Sequence, residues 1–278
     1  MVVRGRPAVR GNGMAPAVAD RGPGDTRLRL YRNPLRLAVS RAPWAAAGYL
    51  VSYLALSWVL FGVAFSAVTA AAAVAITLAG IPLLAAAAGV VRGCANVERG
   101  LLRRVIAEPV RGGYRQVTEP GMRAQVRTRW RDPGTWRDLA YLVGLWAPLY
   151  VLDTVVLAVW AWFIGWITLP AWYWVPWMQY HGRRIHGYQL GFYFPHGPDG
   201  PGTVGVFVDS LPKALLVAVV GLLFFLAFNY VLVLTARAHA RIARSLLRPP
   251  TDPLAPAKEV LTRPGPLGSL QMEMPNGS

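Results

Sequence analysis

The chain has 278 residues, of which 54% are hydrophobic and only 15% are charged, and its mean hydropathy is +0.35. Soluble domains carry about a quarter charged residues, so these values argue against an ordinary soluble enzyme and against a disordered protein. The formal net charge is +16, from 29 Lys and Arg against 13 Asp and Glu. Taken alone, that excess would suggest binding to nucleic acid or to an anionic membrane surface.

Long stretches of the chain carry almost no charge. The first covers residues 42–91, the second covers 139–182 with Asp153 as its one charged residue before Arg183, and the third covers 214–236. A membrane-crossing helix needs about 20 apolar residues, so the first stretch is long enough for two helices and a tight turn near 66–69. The sequence therefore predicts an all-α membrane protein with four transmembrane helices, at about 43–66, 69–91, 139–165 and 213–236.

The basic residues are concentrated in three other segments. Net charges are +7 for residues 1–41, +6 for 92–138 and +3 for 237–278, whereas 139–236 is neutral. The positive-inside rule then places all three basic segments in the cytoplasm, and the first turn and the loop 166–212 outside. We expect a multi-pass protein of the cell (inner) membrane with both termini cytoplasmic. The arginines are scattered without an aromatic pattern, which favours orientation and headgroup contact over nucleic-acid binding.

Composition divides the chain into one membrane domain and two tails. Residues 1–33, a basic tail, and 249–278, a Pro-rich tail, lack apolar periodicity and are predicted to be disordered. The four-helix domain is expected over 34–248, with a cytoplasmic segment at 92–138. Short basic helices at 92–106 and 237–247 are expected to prolong membrane helices and to lie at the headgroups or against a partner.

The outer loop combines an aromatic cluster with polar residues. Aromatic rings with a polar edge are typical of a membrane interface, and the runs 188–194 and 203–208 flank a Gly/Pro turn that predicts a small β-hairpin. Histidines and arginines beside the rings could bind an anionic ligand or headgroup, sense pH, or simply be interfacial polar groups. The candidate contact residues are Trp172, Trp174, Trp177, Tyr180, His181, Arg183, Arg184 and His186.

Asp153 is the one formal charge within a predicted span. An ionised carboxylate there costs at least about 2.5–3 kcal/mol, and intramembrane acids are enriched in function. Ser57 and Thr77 are expected at a matched depth, counted from Arg41 and Arg92, and could donate hydrogen bonds to it. Two interpretations stay open: a carboxylate that responds to protonation or a ligand, and a hydrogen-bonded carboxyl that only fixes helix packing.

The two halves of the chain resemble each other. Trp44 and 49–51 (YLV) match Trp136 and 141–143 (YLV), and basic positions in 92–103 match those in 237–248. The difference between the two offsets is about the size of the outer loop. This repeat predicts two tandem helical hairpins of the same orientation, with the loop and its β-hairpin inserted in the second.

Several short motifs are similar to a known family. They are 80–84 (GIPLL), 97–102 (VERGLL), 135–142 (TWRDLAYL), 208–216 (VDSLPKALL) and 221–223 (GLL). Together, across about 34–248, they resemble the four-helix sensor domain of actinobacteria, which is often found ahead of a histidine kinase. The resemblance implies a sensor module that here lacks the kinase region, since no phosphoacceptor segment or ATP-binding domain follows Leu247.

We expect no catalysis and no cofactor, because nucleotide-binding, zinc-protease and serine-hydrolase motifs are absent from the sequence. The single cysteine, Cys94, excludes an internal disulfide and a cysteine zinc cluster. The expected function is to relay a membrane or extracytoplasmic cue to a separate partner. Candidate partners are the lipid bilayer, a histidine kinase, response regulator or transporter encoded nearby, and a second copy of the chain. The alternatives are an accessory subunit of a membrane complex, or a small transporter that uses Asp153.

Overall fold

The structure is a computed structural model that describes residues 28–77, 80–110, 112–117, 120–180, 183–194 and 202–249. Its helices are α1 (Pro34–Val39), α2 (Arg41–Ala73), α3 (Gly80–Leu102), α4 (Met122–Trp130), α5 (Pro133–Leu139), α6 (Trp146–Thr168) and α7 (Leu211–Leu247). Its strands are β1 (Trp177–Tyr180), β2 (Arg183–His186), β3 (Tyr188–Phe194) and β4 (Gly202–Val208). The disorder predicted for most of both tails falls outside the described residues.

Among the described residues, four helices are long and apolar enough to cross a membrane, as predicted: α2, α3, α6 and α7. The first hairpin turns later than the sequence indicated, after Ala73 instead of near 66–69. The reason is the alanine-rich end of α2, since alanine is the best helix former and no breaker lies between Ser66 and Ala73. The chain returns so tightly that a Cβ on Gly80 would lie 2.3 Å from the Val74 carbonyl oxygen.

The helix predicted at 139–165 is divided. A π-helical turn, Ala140–Gly144, separates α5 from α6, and the Leu145 amide donates to the Ala140 carbonyl instead of to Tyr141. Pro148 explains the break, because proline has no N–H to offer the Gly144 carbonyl. By contrast, α3 and α7 run without interruption into the predicted basic extensions, to Leu102 and Leu247.

The loop 166–212 contains two antiparallel hairpins among its described residues. The β3–β4 hairpin was predicted, and its register pairs Tyr188 with Val208. The β1–β2 hairpin was not, because the Trp-rich segment before it is typical of an interfacial belt or short helix; it pairs Trp177 with His186.

We predict that Gly205→Ala opens the β3–β4 hairpin. Gly205 has φ of +142°, and a Cβ there would lie 1.9 Å from the Leu190 carbonyl oxygen. A strained residue of this kind costs about 1–3 kcal/mol, so amide exchange across 188–194 should accelerate. Val206→Ala is the control, since that side chain is exposed; equal protection in Gly205→Ala and the wild type would refute the prediction.

Aromatic contacts fix the direction of α2 relative to α6. Trp44, near the start of α2, packs on Trp160 with 5.4 Å between ring centroids. Trp58, further along α2, packs on Trp146 at the start of α6, with 4.4 Å between centroids. The two helices are therefore antiparallel.

Helix α7 is antiparallel to α6 and so runs in the same direction as α2. Phe163 stacks on Phe224, and Asp153, earlier in α6, bonds His239, later in α7. The turn after α2 consequently lies at the opposite end of the bundle from the strands. The expectation that the two hairpins share one orientation is wrong for this packing, and the membrane side of the first turn and of the loop 166–212 stays a prediction. The charge pattern contains no information about which helix faces pair.

Part of the N-terminal tail predicted to be disordered is folded against α7. Leu28 is fully buried and its carbonyl accepts from Arg237. The Tyr230 hydroxyl donates to the carbonyls of Tyr31 and Arg32, at 2.8 and 3.2 Å. Side chains of α7 thus donate to the carbonyls of Leu28, Tyr31 and Arg32, which composition alone could not show.

Candidate functional site: a buried polar cluster

Asp153 is paired with a histidine from the last membrane helix. The Asp153 Oδ2 lies 2.6 Å from the His239 Nδ1, and both side chains are fully buried, at 0% exposure. A buried charge is tolerated only when it is paired and hydrogen-bonded. The pair therefore locks α6 to α7 at one depth. Sequence analysis found Asp153 but missed His239, because His239 follows Arg237 and was assigned to the extension beyond the membrane.

The pair continues into a chain of polar contacts. The His239 Nε2 lies 3.1 Å from the Tyr141 hydroxyl, which in turn donates to the Glu98 Oε2 at 3.5 Å, the long limit of a hydrogen bond. Glu98 is buried on α3, and Tyr141 belongs to the π turn, a feature that is frequent at functional sites. We call Glu98, Tyr141, Asp153 and His239 the buried cluster.

Two tyrosines of α2 enclose the imidazole. The rings of Tyr49 and Tyr53 meet His239 edge to face, with centroids 5.4 and 4.3 Å away. The Tyr49 hydroxyl and the Asp153 Oδ1 are buried without a hydrogen-bond partner among the described residues. Such orphaned polar atoms are costly and call for an explanation. The cluster thus has unused hydrogen-bonding capacity.

Of the two hydroxyls expected near Asp153, one lies close to the cluster and one does not. Ser57 is buried and lines a cavity of about 10 Å³ beside Glu98 and Tyr141, about the space of one water. Its hydroxyl donates to the Leu54 carbonyl. Thr77 is exposed in the turn after α2 and donates to the Val74 carbonyl. The expectation for Thr77 is wrong because α2 continues past the predicted turn.

The structure brings some of the outer-loop candidates together. Arg184 lies over the Trp177 ring, 4.7 Å from its centroid, and the His186 Nδ1 lies 3.2 Å from the Trp174 carbonyl oxygen. Trp172 lies apart from these and packs on Tyr188. His181 falls outside the described residues, and Tyr180 and Arg183 are described only as strand backbone.

A second set of buried charged residues is centred on Arg99, the residue that follows Glu98 on α3. Arg99 donates to the Asp138 Oδ1 at 2.7 Å, to the Tyr114 hydroxyl at 2.6 Å, to the Asn96 Oδ1 at 2.8 Å and to the Leu247 carbonyl at 3.0 Å. It therefore joins α3, α5, the 112–117 segment and the last residue of α7. We call Arg99, Asp138, Tyr114 and the Leu247 carbonyl the Arg99 clamp.

Tyr114 completes the clamp as a neutral donor. Burial, together with its hydrogen bond to Asp138, raises the pKa of Tyr114 to about 12. Its hydroxyl donates to the Asp138 Oδ2 at 2.6 Å, so both carboxylate oxygens are satisfied. Sequence analysis treated this region as an orientation signal, since arginine and aspartate in a basic segment are usually solvated.

We predict that Trp160→Phe destabilises the helix bundle. The Trp160 indole N–H donates to the Asn229 Oδ1 at 3.1 Å, and Asn229 is fully buried on α7. Hydrogen bonds between membrane helices average about 0.6 kcal/mol and reach about 1.7. We expect a loss in that range in the free energy of unfolding in detergent, and none for Trp162→Phe, whose ring is exposed; equal effects of both changes would contradict it.

Within the described ranges, no group of three or more His, Cys, Asp and Glu is arranged to hold a metal ion. Four polar side chains from α3, the π turn, α6 and α7 can store charge or protons where water is scarce.

Comparison with known proteins identifies the family. The family model described as "Putative sensor" matches residues 49–247, more than two thirds of the chain. The chain belongs to this family. The match includes every residue of the buried cluster and of the Arg99 clamp. No curated protein and no solved structure matches the chain.

Proposed function

We propose that the chain is a membrane sensor module without catalytic activity, which relays a membrane or extracytoplasmic cue to a separate partner. Membership of the sensor family and four membrane-capable helices support the general class. The observation that carries the relay is the buried cluster, because the fully buried Asp153–His239 pair joins α6 to α7 and Tyr141 connects that pair to Glu98 of α3 in the first half of the chain. A cue that alters this pair alters the packing of α6 against α7.

Glu98 and Arg99 provide the route from the cluster to the end of the bundle. They are consecutive on α3, with Glu98 facing Tyr141 and Arg99 bonding the Leu247 carbonyl. His239 and Leu247 are eight residues apart, about 12 Å along α7. A shift at the cluster can therefore act on the last turn of α7 through α3 and through α7 itself. A relay of this kind requires two states that the cue binds unequally.

The partner is proposed to bind beside the Arg99 clamp. Arg244 bonds Glu108, and Arg137 donates to the Ser245 carbonyl, so the last turn of α7 is held by several contacts that a partner could compete for. The candidate partners that would bind this turn are a histidine kinase, a response regulator or a transporter encoded nearby, and a second copy of the chain. Cross-linkers placed at Arg103 and Arg248 should capture the partner among co-expressed neighbouring proteins. The cross-link should be lost in Arg99→Met.

The proposed relay is testable without knowing the cue. In a Cys94→Ser background in nanodiscs, spin labels at Arg103 and Arg248 report the distance between the ends of α3 and α7. Asp153→Asn should broaden or shift that distance distribution, because it weakens the pair on which α7 is positioned. Asp209→Asn, in an exposed pair with Lys213, is the matched control. An unchanged distribution in Asp153→Asn would rule out the relay.

We further propose that the basic segment 92–138 faces the cytoplasm and the strands face outside, as the positive-inside rule favours. Cysteines at Glu108 and Val206 should be labelled by a membrane-impermeant reagent from opposite sides. Labelling of both cysteines from the same side would contradict this orientation.

A further inference from the structure

We propose that the buried cluster is a proton-binding site, in which one exchangeable proton is shared between Glu98 and His239 through the Tyr141 hydroxyl. This inference rests on the proposed function and names the ligand of the same site. The Tyr141 oxygen lies 3.1 Å from the His239 Nε2 and 3.5 Å from the Glu98 Oε2. One hydroxyl proton cannot be donated in both directions at once.

The hydrogen-bond inventory defines two arrangements. If Tyr141 donates to Glu98, the His239 Nε2 must donate to Tyr141, and its Nδ1 donates to Asp153, so the imidazole carries both protons. If Tyr141 donates to His239, the imidazole is neutral and Glu98 must donate its own carboxyl proton to Tyr141. Both arrangements make the same three hydrogen bonds, but they differ in whether Glu98 or His239 carries the proton.

The charge count limits the cluster to few states. Asp153 has one oxygen without a partner among the described residues, so its carboxylate is stabilised chiefly by the imidazole beside it. With Asp153 ionised, His239 doubly protonated and Glu98 neutral, the cluster has no net charge. Removal of one proton leaves a net charge of −1. It resides on Glu98 when the imidazolium still neutralises Asp153, and on Asp153 when the imidazole is neutral.

The titratable groups of the described residues that face the buried cluster belong to α2, α3, the π turn, α6 and α7. Arg99, which follows Glu98 on α3, is engaged in its clamp. The groups are Tyr49 and Tyr53 of α2, Cys94 and Glu98 of α3, Tyr141 of the π turn, Asp153 of α6 and His239 of α7.

Transfer within the site conserves protons and requires no co-reactant. The Glu98 carboxyl proton passes to the Tyr141 oxygen while the Tyr141 hydroxyl proton passes to the His239 Nε2. The products are a Glu98 carboxylate, an intact phenol and an imidazolium beside the Asp153 carboxylate. Because the Tyr141–Glu98 contact is at the long limit of a hydrogen bond, transfer requires α3 and the π turn to approach. Proton movement is thereby tied to helix packing, and a negative Glu98 lies next to Arg99.

The test follows both groups in the full chain in nanodiscs as the pH is varied from about 5 to 9. The His239 imidazole is followed by nitrogen-15 NMR, assigned by its loss in His239→Gln. The Glu98 carboxyl is followed by infrared difference spectroscopy, assigned by its loss in Glu98→Gln. We expect both signals to change with a common midpoint in the wild type. In Tyr141→Phe the two signals should change at different midpoints, because each then reports its own group instead of the coupled pair.

Tyr53→Phe is the matched control, because it removes a neighbouring hydroxyl on α2 and should keep the common midpoint. If Tyr141→Phe does not fold, Glu98→Gln replaces it, and the His239 midpoint should move relative to the wild type. Signals that do not change with pH, or a common midpoint that persists in Tyr141→Phe, would overturn the proton site. A shared titration with no change between the Arg103 and Arg248 labels would instead refute the relay and leave the proton site standing.

Discussion

Replacing Asp153 by alanine is expected to destabilise the folded chain by about 3–5 kcal/mol, the cost of breaking one side of a buried ion pair. His239 would keep its fully buried position without its partner at 2.6 Å. The measurement is the free energy of unfolding in detergent micelles. Asp153→Asn should cost less, since the amide oxygen can still accept from the imidazole.

Two comparisons separate this effect from general damage. The double variant Asp153→Ala/His239→Ala should be less destabilised than the sum of its single variants, because the second change removes the orphaned partner. Asp209→Ala, in the exposed pair with Lys213, should have no measurable effect. Strict additivity of the Asp153 and His239 changes would contradict the pairing.

Arg99→Met is expected to have an effect of similar size and to release the end of α7. Removal of the guanidinium leaves buried Asp138 with one donor, Tyr114, and leaves the Leu247 carbonyl without its Arg99 bond. Loss of one partner of a buried pair costs about 3–5 kcal/mol. We expect a loss of that order in the free energy of unfolding and faster proteolysis immediately after Leu247.

Arg103→Met is the control for the clamp. Arg103 lies four residues further on, immediately after the end of α3, and is exposed, so its removal should change neither stability nor proteolysis. If Arg103→Met and Arg99→Met have the same effect, the last turn of α7 is not held by the Arg99 clamp.

Charge, hydropathy and turn residues were sufficient to predict four helices and the β3–β4 hairpin, and to single out Asp153 as the one charge within a span. These features follow from local composition: apolar length for a span, a Gly/Pro turn between β-branched runs for the hairpin, and an isolated carboxylate within an apolar stretch. The Ala70–Ala73 run is a local signal that α2 continues past residue 69, and Pro148 is a local signal for the break before α6.

The pairing of helix faces could not be predicted in this way. His239 is separated from Asp153 by 86 residues, and nothing local distinguishes it from a histidine at the membrane surface. The internal repeat contained a clue, since Tyr49 and Tyr141 occupy matching positions and both rings contact His239. The direction of the hairpins and the Arg99 clamp depend on such long-range contacts.

The central claim is that the buried cluster and the end of α7 are coupled. The most direct measurement is backbone amide exchange across residues 241–247 in nanodiscs, compared between the wild type, Asp153→Asn and Asp209→Asn. We expect faster exchange across 241–247 in Asp153→Asn alone. Because His239, the partner of Asp153, lies about two turns before Leu247, this result would show that the change is transmitted along α7. Faster exchange confined to the neighbourhood of residues 153 and 239, with 241–247 unchanged, would contradict it.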